Sequence, residues 1–499
     1  MKKIDFILIG VIFLLTISFW LTTINTPYWW DSAGFVINAA KYYLDTNFSF
    51  FILPDTAPNG VLLSAMAHPT LFHFLLGLTW KIFGESLFVS HTFYLSFIVL
   101  TVVFTYLLGK ELVREETAGI LIGFSSAIIL LFTPLFFAQM GIIYTEIPAA
   151  AFSLMAVYFY VKRKVIWYLF SASALLLMKE VALIIPFAIL IAIIFDFLLK
   201  HFRKQEKNLK ETVKDLILYS LPILPLVGFF VWHRLVTGWW FIIPNYQQTF
   251  AQEAFSISFS KIFYVFKFFF WEQKRFVLSV ATLIFLYFFL KKKGVEKLLL
   301  KKEVILLALI SVLVPLLFGK LEFLNRYVIF GLPFFYILFF YLLVLFLCLL
   351  NKTITDSIKI FGAVLLIIVV MFFSSWNEHR KINNWHFPPM EENLEYLDII
   401  KLCKEVGSFI GERFPDSRVF TGIPTSMALQ ESYYHYVSKP LRVYDCGQYQ
   451  GGEQSDLVVF HLFSPGEISC FRLIQEKQMK LLITFEENGK WMEIYKNSE

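Results

Sequence analysis

An acidic residue, Asp31, follows a first apolar run in the stretch TPYWWDSAGF, directly behind three aromatic side chains. A carboxylate held near a water-poor interface can act as a general base that takes a proton from a substrate hydroxyl. The residues that follow, SAGFVINAAKYYL, have helical spacing. Asp31 can therefore also be an N-cap whose carboxylate accepts hydrogen bonds from the first free amides of that helix. Spacing alone leaves both roles open.

Two cations in apolar surroundings are candidates for binding an anion. Lys179 interrupts the run SASALLLMKEVALIIPFAIL, and Arg326 precedes Tyr327 in LEFLNRYVIFGLP. A charge at membrane depth is costly unless it is paired, and a guanidinium group matches phosphate oxygens well. The alternative is local ion pairing, of Lys179 with Glu180 and of Arg326 with Glu322 one turn upstream. Both interpretations fit the local sequence.

Three further polar residues are candidates for lining a donor or acceptor pocket: His68, Tyr144 and Glu146. Each also has a purely structural interpretation. Glu146 stands in the first turn of an apolar helix, where it can interact favourably with the helix dipole. His68 can hydrogen-bond at the membrane interface.

Motifs for other chemistries are missing from the sequence. It contains neither HExxH nor CxxC, so no local motif supports a metal site, although the use of a divalent metal stays open. The absence of GxGxxG and of a P-loop argues against a nucleotide site. The C-terminal part lacks a Gly-x-Ser-x-Gly elbow. These observations favour chemistry at the membrane.

The elements that must position these residues are membrane-spanning helices. Of the 499 residues, 58% are hydrophobic and 16% charged, with a mean hydropathy of +0.66, whereas soluble chains are about half apolar and about a quarter charged. The apolar runs are long enough to cross a bilayer. They predict about eleven transmembrane helices, at 6–24, 86–108, 118–138, 144–161, 165–178, 181–199, 216–236, 276–290, 304–319, 328–350 and 360–376.

The distribution of charge predicts the topology. The net charge of +6 lies largely in short loops, so we take it as an orientation signal for a protein surrounded by membrane lipids, and we expect no nucleic-acid partner. The N-terminus is then cytoplasmic in an inner (cytoplasmic) membrane protein. The candidate site residues fall near the outer surface, where the loop 25–85 carries two predicted juxtamembrane helices.

The chain changes character after residue 376. Residues 1–376 form the predicted transmembrane domain, and residues 377–499 are more polar, with one helix-like stretch followed by strand-like stretches. We predict a small extracytoplasmic α/β domain there, because an odd number of spans places the C-terminus outside. Cys403, Cys446 and Cys470 lie in this part, which allows one disulfide, and the pairing of Cys446 with Cys470 stays open.

The order of several motifs resembles a known family. WWDSAGF, HPTLFHFLLGLTWKIFGES, YTEIPAAAFSLMAVYFY, LLLMKEVALIIP and NRYVIFGLPFFYIL follow one another as in the C-type membrane glycosyltransferases. The similarity is to the branch of protein O-mannosyltransferases, which use dolichyl-phosphate mannose, and lipid A aminoarabinose transferases. It covers most of residues 1–376 and implies the α-helical GT-C fold.

The resemblance implies a function and residue roles. Such enzymes transfer a sugar, with inversion, from a polyprenyl-phosphate donor to an acceptor hydroxyl outside the membrane. Carried over by position, Asp31 is the catalytic base. Lys179, Arg326 and Tyr327 are expected at the donor phosphate, and His68 matches the histidine of a His-Pro-Pro stretch.

Two departures from the family pattern bear on the acceptor. Ser32 stands where mannosyltransferases carry a second acid, and Thr70 replaces the second proline of the His-Pro-Pro stretch. The acceptor therefore stays open among protein, lipid A and envelope glycan.

Two alternative functions remain from the sequence. A flippase or other transporter of lipid-linked oligosaccharides would be expected to show two related halves with discontinuous helices in matching positions, and we see no such symmetry. A polysaccharide polymerase or ligase would also use a lipid-linked donor, with a longer glycan.

Overall fold

The computed structural model describes residues 2–48, 68–202, 209–238, 240, 259–291, 301–320, 324–349, 354–374, 391–449, 454–461 and 467–497. Most of them are helical. The helices are α1 Lys3–Leu21, α2 Asn38–Asp45, α3 Leu71–Phe83, α4 Leu87–Glu111, α5 Glu116–Phe132, α6 Pro134–Gln139, α7 Glu146–Val161, α8 Val165–Met178, α9 Ile184–Phe202, α10 Leu209–Ser220, α11 Ile223–Thr237, α12 Phe259–Phe270, α13 Phe276–Lys291, α14 Lys302–Lys320, α15 Leu332–Leu349, α16 Ile354–Phe373, α17 Tyr396–Arg413, α18 Thr425–Gln430 and α19 Glu467–Glu476.

Every predicted span coincides with helical structure. By length and composition, five helices are long and apolar enough to cross a membrane, and α10 with α11, bent by 43°, would make a sixth. Several others are shorter apolar helices. The chain is thus an integral membrane protein of the helical class, and the number of eleven crossings stays a prediction.

The helices pack around α15, which is largely surrounded by protein. Helices at the periphery of the bundle, such as α1 and α9, leave large apolar side chains exposed, among them Phe6, Leu14 and Phe187. A soluble protein would not expose so much apolar surface, but lipid can cover it.

Close helix contact near the centre depends on glycine. A Cβ atom at Gly123 of α5 would lie 2.2 Å from the carbonyl oxygen of Tyr106 on α4, and one at Gly109 would lie 2.7 Å from the Cα of Gly123. Small residues at helix crossings let backbones approach, as is usual in membrane proteins. Helix α4 also packs against α7, whose first residue is Glu146.

Both stretches predicted as juxtamembrane helices are helical, and their place at the membrane surface stays a prediction. The first begins with a π-helical turn, Ser32–Ile37, and continues as α2. The second is α3. The three rings before Asp31, as aromatic side chains just after a predicted span, predict an anchor at the lipid interface, but Tyr28 and Trp29 are 2% and 1% exposed. That expectation is wrong for these two residues, because they pack inside the protein.

A helix that was not predicted lies between the predicted spans 216–236 and 276–290. It is α12, Phe259–Phe270. Its apolar residues are interrupted by Lys261 and Lys267, so its sequence does not resemble a membrane span.

The C-terminal part is an α/β domain, as predicted. Its strands are β1 Arg418–Thr421, β2 Arg442–Asp445, β3 Leu457–His461, β4 Lys480–Glu487 and β5 Lys490–Lys496. The sheet order is β2-β1-β3-β5-β4, with β1 parallel to β2 and β3 and with β5 antiparallel to both its neighbours. A disulfide joins Cys446 to Cys470. The predicted domain boundary at 376/377 lies outside the described residues.

Candidate active site

The backbone before Asp31 is unusual and fixes where the carboxylate points. Trp30 has a positive φ of 50°, which a bulky residue adopts rarely and at some cost. A π-helical turn follows at once, and such turns occur frequently at functional sites. The Asp31 side chain makes no capping hydrogen bond to that turn. The N-cap interpretation is therefore wrong, and the carboxylate has another partner.

That partner is Arg326, which lies on a 3₁₀ turn, Asn325–Phe330, just before α15. The buried guanidinium group contacts three carboxylates. Nη2 pairs with Asp31, Nη1 lies 2.5 Å from Glu391 Oε2, and Nε lies 3.3 Å from Glu146 Oε1. The guanidinium carbon also lies 4.2 Å from the centre of the Tyr144 ring, a cation–π distance. Arg326 thus connects the segment between α1 and α2, helix α7 and the chain just before α17.

The second predicted cation, Lys179, lies beside the first. Its Nζ is 2.6 Å from Glu146 Oε1 and 4.3 Å from the centre of the Tyr327 ring. The expected pair with Glu180 does not form, because Glu180 is bound to His68 instead, at 2.8 Å. Lys179 has an extended backbone, with φ −155° and ψ 105°, and side chains of consecutive residues in extended chain point in opposite directions.

The other predicted pairing, of Arg326 with Glu322, falls on a residue outside the described part of the chain. The carboxylates that Arg326 contacts come from far away in the sequence. The contacts of Arg326 with described residues are therefore long-range, and the pairing with Glu322 stays an open alternative.

Six of the seven residues proposed from the sequence lie in one contiguous cluster. Asp31, Tyr144, Glu146, Lys179, Arg326 and Tyr327 contact one another directly or through a shared partner. The seventh, His68, binds Glu180, which follows Lys179 in the sequence, and forms no hydrogen bond or ion pair with the other six in the described part of the chain. Burial by itself would lower the pKa of His68. The Glu180 carboxylate outweighs that effect and raises the pKa above its usual value, which favours a charged imidazole.

Sequence reasoning missed one member of the cluster, Glu391. Besides its contact with Arg326, it accepts a hydrogen bond from the Tyr144 hydroxyl at 2.6 Å, and its backbone carbonyl accepts one from Gln139 Nε2 at 2.9 Å. Glu391 belongs to the more polar C-terminal part of the sequence, where no site residue was predicted. The available signal was the pair of adjacent acids in PMEENL, which is weak.

The cluster contains more acids than bases. Asp31, Glu146 and Glu391 surround only two cations, Lys179 and Arg326. Burial raises the pKa of both Asp31 and Glu391 above their ordinary values, because the desolvation of each carboxylate outweighs the attraction of Arg326. A base works best when its pKa is near the working pH, so this shift suits the proposed role of Asp31.

Accessibility also separates the three acids. The side chain of Asp31 is 23% exposed, whereas those of Glu146 and Glu391 are 3% and 5% exposed. Only Asp31 of the three can be reached readily by an acceptor hydroxyl. Within the described ranges, no group of three or more His, Cys, Asp or Glu side chains is placed to hold a metal ion.

The C-terminal domain holds the helix that follows Asp31. The Asn38 side chain donates to the Gly34 carbonyl at 3.0 Å and accepts hydrogen bonds from the hydroxyls of Tyr433 and Tyr434, at 2.9 and 2.5 Å. A Cβ on Gly34 would lie 2.0 Å from the Met427 methyl group. These contacts clamp the π-helical turn between the two parts of the protein.

Replacing Asn38 with alanine should lower the free energy of unfolding by about 1–3 kcal/mol, because it leaves the buried Tyr434 hydroxyl without its partner. Thermal unfolding in detergent would measure the loss. Ser18→Ala is the control, since it removes an exposed hydrogen bond, from the Ser18 hydroxyl to the Leu14 carbonyl, inside a regular helix. Equal melting temperatures for the two variants would contradict the clamp.

Comparison with known proteins gives a fold. No family model and no curated protein matches the sequence. Solved structures do match. ArnT from Cupriavidus metallidurans bound to undecaprenyl phosphate has a TM-score of 0.57 at 10% identity, over 98% of this chain and 97% of that one. Its apo state gives 0.58 at 9% identity, with the same coverage.

A second protein has a similar structure. The archaeal oligosaccharyltransferase AglB from Archaeoglobus fulgidus, solved with an inhibitory peptide and a dolichol-phosphate, has a TM-score of 0.52 at 14% identity. The match covers all of this chain and 74% of that one. At such identities the likeness concerns architecture, and on that basis the chain has the GT-C fold of membrane glycosyltransferases.

Proposed function

We propose that this protein is an inverting glycosyltransferase that moves a sugar from a polyprenyl-phosphate donor to an acceptor hydroxyl on the outer side of the membrane. The observation that carries the proposal is the contact between an accessible acid, Asp31, and a buried cation, Arg326, with Lys179 beside it. A base for the acceptor and cations for the leaving phosphate are the groups that this reaction requires.

The reaction needs a base for the proton of the acceptor hydroxyl and a cation for the negative charge that develops on the leaving phosphate. The acceptor oxygen attacks the anomeric carbon from the face opposite the phosphate, its proton passes to Asp31, and a new carbon–oxygen bond forms. The bond from the anomeric carbon to the phosphate oxygen breaks, and polyprenyl phosphate leaves with the electron pair. Arg326 and Lys179 would stabilise the negative charge that develops on that oxygen. No nucleotide-binding element is needed, because the leaving group is already a phosphate.

Two observations support the choice of donor and of membrane side. Both solved proteins of similar fold are described with a polyprenyl phosphate, undecaprenyl phosphate for ArnT and dolichol-phosphate for AglB. The disulfide between Cys446 and Cys470 suits an oxidising compartment, which favours placing the C-terminal domain outside.

The assay must separate transfer from transport. Membranes that contain the protein and lipid-linked sugars with a radioactive label should lose label from the solvent-extractable lipid and gain it in a lipid-free or larger acceptor. A flippase would move the labelled lipid to the other leaflet without cleaving it. Label that changes leaflet while it stays on its original lipid would reject the transferase.

The same assay distinguishes single-sugar transfer from the action of a polymerase or ligase. Digestion of the labelled product should release one sugar per acceptor site. Products that carry many sugars per site would favour the polymerase or ligase instead.

A further inference from the structure

The guanidinium group of Arg326 is surrounded by carboxylates in this structure. Each of its three nitrogens faces a carboxylate, from Asp31, Glu146 and Glu391. A phosphate binds a guanidinium through the same paired N–H donors that a carboxylate uses. Because each nitrogen already serves a carboxylate, a donor phosphate that takes a pair of these N–H donors competes with one of the three carboxylates for Arg326.

The contacts indicate which carboxylate that is. Asp31 has to stay at the site if it is the base. Glu146 is held by a second cation, Lys179, at 2.6 Å. Among the ion pairs of the described residues, Glu391 pairs with Arg326 alone, and its other side-chain partner is the neutral hydroxyl of Tyr144. Of the three carboxylates, Glu391 is therefore the one whose displacement from Arg326 by another anion should cost the least free energy.

We propose that Glu391 occupies, on Arg326, the position that the phosphate of the lipid donor takes, and that it thereby sets the affinity for the donor. This inference rests on the function proposed above. Glu391 is then a positioning residue, since it holds the Arg326 side chain in place and keeps a buried charge paired when no donor is bound.

The chain around Glu391 is anchored independently of its carboxylate. Gln139 Nε2 donates to the Glu391 carbonyl at 2.9 Å, and Gln273 Nε2 donates to the Glu392 carbonyl at 2.8 Å. A few residues later, the Tyr396 hydroxyl donates to the Ala138 carbonyl at 3.0 Å. The Glu391 side chain can therefore be exchanged or displaced while the segment keeps its place.

The test is the affinity for undecaprenyl phosphate, which carries the phosphate of the donor without its sugar. It is measured in a variant that removes one negative charge with little change of side-chain shape. For Glu391→Gln in lipid nanodiscs, undecaprenyl phosphate should bind about tenfold more tightly than to the wild-type protein, because phosphate then displaces a neutral amide instead of a carboxylate. A residue with a merely structural role would lose affinity or leave it unchanged.

The matched control is Glu392→Gln, which removes the same charge one residue away. The Glu392 carboxylate accepts from Asn325 Nδ2, and it is not among the ion-pair partners of Arg326 that the described residues provide. Its donor affinity should stay within about twofold of the wild type. An equal gain in both variants would reduce the effect to general electrostatics and overturn the proposal.

Two further variants complete the design. Tyr144→Phe removes the hydroxyl that holds Glu391 but keeps the ring beside Arg326, so it should give a smaller gain in the same direction. This variant also decides the question if Glu391→Gln does not fold. In the double variant with Arg326→Lys, the gain from Glu391→Gln should disappear.

The possible failures are distinguishable. If Arg326→Lys weakens binding of undecaprenyl phosphate but Glu391→Gln and Tyr144→Phe leave it unchanged or weaker, the proposed function stands and this inference fails. If the wild-type protein does not bind undecaprenyl phosphate and Arg326→Lys changes nothing, the donor assignment fails, and the inference fails with it.

Discussion

Replacing Asp31 by asparagine should slow sugar transfer by a factor of about 10²–10⁴, the usual contribution of a well-placed general base. Asparagine has nearly the same shape but cannot take the proton of the acceptor hydroxyl. The variant also removes one carboxylate that competes for Arg326, so donor binding should not weaken. We expect a fall in kcat without a rise in the KM for the donor, measured by release of polyprenyl phosphate.

Asp45→Asn is the matched control for this variant. Asp45 is the last residue of α2 on the same loop, and its exposed carboxylate lies 3.3 Å from Lys41 Nζ. It should transfer sugar at the wild-type rate. If a well-folded Asp31→Asn protein retains full turnover, Asp31 is not the base.

Replacing Arg326 by lysine should weaken donor binding by about tenfold or more, although the charge is kept. An ammonium group is a compact point charge and cannot offer a planar fork to phosphate oxygens. The same substitution should lower the melting temperature, because the three carboxylates around Arg326 lose directed hydrogen bonds in a buried site. Titration with undecaprenyl phosphate and thermal unfolding measure the two effects separately.

Arg413→Lys provides the comparison. Arg413 is the exposed last residue of α17, and its guanidinium carbon lies 5.0 Å from the centre of the Phe409 ring. Neither donor affinity nor stability should change noticeably there. Unaltered donor affinity in Arg326→Lys would remove the phosphate-binding role from this residue.

The cluster also explains why a base and a cation meet directly. An acid paired with arginine in the free enzyme stays oriented, and its charge is partly offset while the site is empty. When phosphate approaches, Arg326 can share its hydrogen bonds with the new anion.

Several features were predictable from sequence because they follow from local pattern. Long apolar runs predicted helical spans, and helical or alternating spacing predicted the juxtamembrane helices and the α/β character of the C-terminal part. Ionisable residues within apolar sequence predicted most of the site, because such charges are costly unless they have a partner or a function. Helix α12 was not predicted, because its two lysines interrupt the apolar pattern of its sequence.

The partners of those residues required the tertiary structure. Lys179 pairs with Glu146 rather than with Glu180, and Asp31 pairs with Arg326 rather than capping its own helix. Glu391 was not recognised, because it lies 65 residues after Arg326 in the sequence and only the fold brings the two side chains together. The sequence by itself determined which charges would need partners at the membrane. Only the packing of distant segments decided which partners they found, because a buried charge pairs with whatever the fold brings within a few ångströms.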